Sequence, residues 1–267
     1  MTETTTHSRP ARRVREPLRT AAALLAAAAF VYNAWVLEAV VPTGLDPRHA
    51  YVSELYAVGS PYRWLFGGLE LVCAALVVTG AVAGAAAATD RAGRAGWCAL
   101  AGVGLCSTAD VLMPMACAPS VQPGCRAVHP AHTVTSALVH CCLFACLALL
   151  VHSARGRGEP RCVARWGPLL GGGALVSSLC TVGPLLGYGG WHGVAQRCHL
   201  LLVGAWLALL AHGARTPCPP PGAPAPPPAR PRRARRAARD LFRGARDLRD
   251  LRGARDVRDV RDGRQTG

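Results

Sequence analysis

The chain has 267 residues, 51% of them hydrophobic and only 17% charged, with a formal net charge of +15 and a mean hydropathy of +0.22. Six apolar runs, each about long enough to cross a bilayer and nearly free of charge, exclude a soluble globular domain and read as a polytopic membrane protein. There is no lysine and no isoleucine; with the alanine and glycine load, this reads as a GC-rich coding bias rather than as function.

In chain order, residues 1–18 form a basic segment expected to be disordered, with Arg9, Arg12, Arg13 and Arg15, followed by Arg19. The first apolar run, 21–41, competes with a signal peptide. It is long for such a segment and ends in Trp35, Glu38 and Pro42 without a convincing cleavage site, so an uncleaved first helix is expected. The other runs are 64–88, 96–115, 133–151, 166–186 and 193–211. With no water in the hydrocarbon to satisfy backbone amides, each is read as a helix, so the fold class is all-α, a six-span bundle over 19–213. Arg91 and Arg94 in the second connector and Arg155, Arg157, Arg161 and Arg165 in the fourth fall on the same side as the basic ends. The other side carries fewer, namely Arg48, Arg63, Arg126 and Arg197. Positive residues are retained in the cytoplasm, which predicts a multi-pass plasma-membrane protein with both termini inside.

Beyond the bundle, 214–231 is a proline-rich linker that favours extended chain. Residues 232–267 carry an Arg-Asp repeat. From Ala214 onward there are fifteen Arg and six Asp, a net of +9. This tail reads as a solvated, disordered segment, with anionic lipid head groups as its candidate partner. Without aromatic interleaving, nucleic-acid binding is disfavoured.

The chemistry-bearing residues gather at the ends of the spans predicted to face outward. In the first connector Ser60 and Pro61 suit the cap and first position of the second helix. Tyr51, Tyr56, Tyr62 and Trp64 suit interfacial anchors, and residues 49–57 suit a short surface helix with Ser53 and Glu54 turned inward. In the third connector Cys117 and Cys125 flank a turn-rich segment on the oxidising side, where a loop-closing disulfide is expected. His132, Ser136 and His140 recur at four-residue spacing and stack on one helix face. Asp110 and Glu70 lie a turn or two inside their spans, where an ionisable group must be paired or hydrated. Gln196 and Arg197 open the last helix at the same level, with Arg197 expected to pair with Asp110 or Glu54.

These segments together resemble the six-span integral membrane family catalogued as domain of unknown function number 998. The resemblance rests on LDPRHAYVSELYAVGSPYRWLF at 45–66, on Asp110 followed by MACAPSVQPGCR, on His129 and His132, and on GVAQR before Trp206. It covers roughly 21–212 and excludes the linker and tail. It implies a six-helix membrane domain, of actinobacterial type, and no activity.

Two readings of the polar cluster remain open. In the first, Ser53, Glu54, Asp110, His132, His140, Gln196 and Arg197 form a hydrogen-bonded plug or a pocket for a small molecule or lipid head group, with Arg197 as the anion contact and no cofactor. In the second, Asp110, His132 and His140, with His129 or Glu54, hold a zinc whose water attacks a lipid ester or amide. This is loosely similar to the seven-helix ceramidase and adiponectin-receptor hydrolases, whose seventh helix the chain lacks. The first reading is preferred. A transporter ranks last because the spans show no matching halves, although Gly183 and Pro184 interrupt the fifth. The oligomeric state is left undetermined, with Gly171, Gly172 and Gly173 offering a close-packing surface.

Overall fold

The computed structural model describes residues 9–126, 128–158 and 160–215. The linker from 216 onward, the tail, the polar start at 2–8, and Cys218 lie outside the described residues, while α6 takes in the first two residues of the expected linker. Among the described residues there are six α-helices and no strand: α1 Arg9–Val31, α2 Arg63–Ala87, α3 Arg91–Leu112, α4 Pro130–Arg157, α5 Arg161–Leu179 and α6 His192–Arg215. Six segments are long and apolar enough to span a membrane. Each helix packs on the next in sequence, and α1 also packs on α6, so the six close into a ring. Successive helices alternate in direction. The short links from α2 to α3 and from α4 to α5 therefore lie at one end, the arginine-bearing end. The long connectors at 40–62, 113–129 and 180–191 lie at the other, the loop end.

Lipid tails are as apolar as leucine, so helix association inside a bilayer relies on close van der Waals contact and on small residues that permit it. A Cβ added at Gly104 of α3 would stand 2.7 Å from the Ala74 carbonyl oxygen of α2, so only glycine lets these two backbones approach. The interior toward the arginine end is filled by one apolar core that includes Leu25, Val77, Leu100, Cys146, Leu150, Trp206 and Leu210.

At the arginine end, Asp90 caps α3 by accepting from Gly93 N at 2.8 Å, and it also accepts from Ser153 Oγ at 2.9 Å and from Arg157. These donors, the Gly93 amide foremost, hold the Asp90 carboxyl below its ordinary value. A depressed carboxyl contributes stability that is fully present above its ordinary titration range and is lost as pH falls through its lowered value. Replacing Asp90 with Ala is expected to cost about 1 kcal/mol at neutral pH. In thermal denaturation the gap between variant and wild type should narrow on acidification.

Four local expectations are revised. First, α1 begins at Arg9, inside the segment expected to be disordered, because arginines are good helix formers and Pro10 is tolerated in a first turn. Second, the α-helix stops at Val31 instead of running through 21–41. Asn33 Nδ2 donates to Ala29 O, and the chain tightens into a 3₁₀ helix over Ala34–Ala39. Third, α2 starts at Arg63 and Ser60 is not its cap, since Ser60 Oγ donates to Leu55 O at 2.7 Å. Fourth, the surface helix expected over 49–57 shrinks to a 3₁₀ turn, Val52–Tyr56, with Ser53, Glu54 and Leu55 buried.

Candidate functional site

The polar residues of the loop end divide into two groups. The first holds the connectors together. Arg197, 7% exposed in the second turn of α6, donates from Nε and Nη2 to the two oxygens of Glu38, each at 2.6 Å. Its Nη1 donates to Pro47 O at 2.7 Å, Ala50 O at 2.9 Å and Gly193 O at 3.0 Å. The bidentate fork matches the planar carboxylate, while the third nitrogen gathers three backbone carbonyls. Gly193 makes this possible: an added Cβ would stand 2.6 Å from Ala50 O, so α6 meets the first connector backbone to backbone.

Glu54 is a second clamp, 1% exposed. Oε1 accepts from Tyr51 N at 2.8 Å, and Oε2 accepts from Ser120 N at 3.0 Å and Ser120 Oγ at 2.6 Å. Ser120 lies between Cys117 and Cys125, which stand at disulfide distance with Cα atoms 6.0 Å apart. The bridged loop of the third connector is thereby fastened to the first. Gln196 Oε1 accepts from Val52 N at 2.6 Å, and Tyr51 OH donates to Thr181 O at 2.7 Å, tying in α6 and the fifth connector. Burial pushes the Tyr51 phenol up to about 12, so it remains a donor at any physiological pH.

The second group lines a cavity of about 130 Å³ inside the ring, bounded by Tyr32, Trp35, Ser53, Tyr56, Phe66, Glu70, Ser107, Asp110, Ser136, His140, Gln196 and His199 among others. Glu70 and His199 each lie seven residues into their helices, about 10 Å from the loop end at 1.5 Å per residue. Asp110 forms one wall. Its Oδ1 accepts from Thr135 Oγ1 at 2.6 Å and Ser136 Oγ at 2.7 Å, and its Oδ2 accepts from Tyr56 OH at 3.0 Å. Burial, and then the Asp110 charge, raise the Tyr56 phenol well above its ordinary value. His132 Nδ1 lies 3.2 Å from Asp110 Oδ1.

Opposite, the rings of His140 and His199 stack at 4.9 Å. His140 Nδ1 is 2.7 Å from Ser136 O and His199 Nδ1 is 2.9 Å from Ala174 O. Each Nδ1 must carry the proton to meet a carbonyl, which leaves each Nε2 as an acceptor in the neutral ring. Neither Nε2 has a partner among the described residues.

The candidate residues lie at the loop end in two groups, and their partners differ from those expected. Arg197 pairs with Glu38, not with Asp110 or Glu54, and with its donors committed it is not a free anion contact. Tyr56 turns inward to Asp110 instead of anchoring at the interface, because a buried carboxylate oxygen is the stronger attraction. Asp110, His132 and His140 do not converge on one point. Among the described residues, the only three metal-ligating side chains with ligand atoms within 4.8 Å of one another are Cys117, Cys125 and His129. There the sulfurs bond each other, and His129 Nδ1 accepts from Ala116 N at 3.2 Å.

Sequence reasoning missed Glu38, Ser120, Tyr32, Ser107, Thr135 and His199 as members. Two carried a signal. Glu38 is an ionisable residue at the end of an apolar run, and His199 follows Gln196 by three residues and so shares its helix face.

The family described as "Protein of unknown function (DUF998)" matches residues 20–213. No curated protein and no solved structure matches the chain.

Proposed function

We propose a function for a chain that belongs to the DUF998 family: a multi-pass plasma-membrane protein that binds a small polar ligand or lipid head group in the cavity at its loop end. The observation that supports this reading most is the division of labour among the polar residues. The clamp residues satisfy one another, whereas the cavity wall holds Glu70, which Ser107 meets but no cation does, and two histidines whose Nε2 atoms have no partner among the described residues. Pockets that recognise ligands combine a largely apolar wall with a few convergent polar groups. The volume suits a head group rather than a drug-sized molecule.

Below the cavity a space of only about 10 Å³ remains between Leu100, Leu143 and Leu207, and the apolar core packs around it, which favours a dead-end pocket over a transport path. The arginine-bearing end is assigned to the cytoplasm, and the loop end with its cysteine bridge to the outer face. A cysteine placed at Gly156, an exposed site with open space around it, should resist an impermeant thiol reagent in intact cells, whereas Cys117 and Cys125 should react after mild reduction. The reverse pattern contradicts this orientation.

The binding reading is tested by filling the pocket. Val139 lines the cavity, packs against the apolar core and takes no part in the polar network, so Val139→Trp fills the space without removing a clamp residue, and a melting temperature near that of the wild type checks that the fold is kept. Mass spectrometry of the purified full chain should find a bound small molecule or lipid in the wild type and not in the variant. Equal occupancy in both would sink the reading.

A further inference from the structure

We infer that the cavity selects a small organic ammonium group, either a free amine or the amine-bearing head group of a lipid. The inference rests on the binding reading above and adds to it the charge and shape of the ligand. The charged side chains in the wall are Glu70 and Asp110, both acidic, and no arginine lines the space. Asp110 is already met by Tyr56, Thr135 and Ser136 and has His132 beside it. Glu70 is different. Ser107 hydrogen-bonds it, but no cation lies among the lining residues, and a carboxylate at such depth needs one.

Two further features point the same way. Four aromatic residues, Tyr32, Trp35, Tyr56 and Phe66, contribute to the wall; the Trp35 ring already has the Arg197 guanidinium over it, which leaves the other three, and aromatic faces attract ammonium groups, most strongly where water is excluded. His199, 4% exposed, has its Nδ1 fixed on Ala174 O, and its unpartnered Nε2 belongs to the wall, as does that of His140. The wall also holds a buried donor without a partner, Trp35 Nε1, but it carries no free cation, so Glu70 and the π-faces make it a better host for an alkylated ammonium than for phosphate or carboxylate. The one nearby arginine, Arg197, lies 5.8 Å from the Trp35 ring centre and is neutralised by Glu38, so it does not reverse the sign of the site.

The geometry assigns Glu70 as the counter-charge. The test uses the full chain in nanodiscs made of phosphatidylglycerol alone, titrated with ethanolamine, tetramethylammonium, glycerol and glycerol phosphate, with binding read by calorimetry. The amines should bind in preference to glycerol and glycerol phosphate. Glu70→Gln should weaken amine binding by about tenfold or more while the melting temperature of the variant stays near that of the wild type. Val139→Trp should abolish it. A parallel preparation in phosphatidylethanolamine nanodiscs separates the sources. A lipid head group in the site would block soluble amine there, and unchanged amine binding would assign the site to a free amine.

Glycerol or glycerol phosphate binding as well as the amines, lost in Val139→Trp, would overturn the ammonium inference and leave the pocket standing. Amine binding unaffected by Glu70→Gln would overturn the assignment of Glu70. Absence of any binding, together with identical bound lipid in Val139→Trp and wild type, would overturn the pocket itself.

Discussion

Replacing Arg197 with Gln is expected to cost about 3–5 kcal/mol, enough to remove most folded protein from a detergent extract. The magnitude follows from what remains behind. Glu38 is as buried as its partner, with side-chain exposures of 6% and 8%, and loses its ion-pair partner. The Pro47 and Ala50 carbonyls, which Arg197 gathers over Gly193, lose their donor as well. Lysine should rescue little of this. A point charge on a flexible stem can neutralise Glu38 but cannot supply the bidentate fork and three carbonyl contacts at once. Thermal unfolding of Arg197→Gln and Arg197→Lys in the same bilayer mimetic checks both statements. A lysine variant as stable as wild type would show that charge alone holds the clamp.

The second large effect is expected at Glu54. Glu54→Ala strands three buried or half-buried donors, Tyr51 N, Ser120 N and Ser120 Oγ, and each unmet donor costs roughly 1–3 kcal/mol. A total of about 3 kcal/mol is expected, together with release of the 117–125 loop from the first connector. Glu54→Gln should be intermediate, because one oxygen remains an acceptor while the new NH₂ faces a donor. Hydrogen exchange at Ser120 should rise in both variants, and more in Ala. Protection at Ser120 unchanged in Glu54→Ala would place the fastening of this loop elsewhere.

Much of this architecture was legible from physics that acts locally along the chain. Hydropathy located six spans because a bilayer forces every backbone amide to be satisfied within its own helix. The loop end was recognisable as the chemical end because Asp110, His132, His140, Gln196 and Arg197 stand at one level when counted from the span ends. Pairing was not legible. Glu38 and Arg197 are 159 residues apart, and nothing periodic links them; the contact exists because α1 unwinds after Val31 and α6 closes the ring against it. The unwinding was hidden by an apolar run that continues through Val40 and Val41. The role of Ser120 was hidden for a related reason. A serine in a turn-rich loop is ordinary until a buried carboxylate from another connector arrives opposite it. His199 is hard to read from sequence because a single histidine in an apolar helix most often serves packing; its place in the cavity wall, stacked on His140, depends on how α4 and α6 meet.

The separation of clamp from cavity also orders the consequences of mutation. Changes at Glu38, Glu54, Gly193 or Arg197 act on the connectors and so on stability. Changes at Glu70, Val139 or His199 act on the space that those connectors enclose. Asp110 belongs to the second set by position, although the expectation from sequence had joined it to Arg197.

The central claim is therefore tested most directly by one double-mutant cycle, measured as unfolding free energy in a single membrane mimetic. Arg197→Gln is combined with Glu38→Gln and, separately, with Asp110→Asn. Residues in one ion pair couple by roughly 0.5–3 kcal/mol, whereas residues without shared partners add. The structure predicts strong coupling between Arg197 and Glu38 and additivity between Arg197 and Asp110. Coupling of Arg197 to Asp110, with additivity toward Glu38, would contradict it.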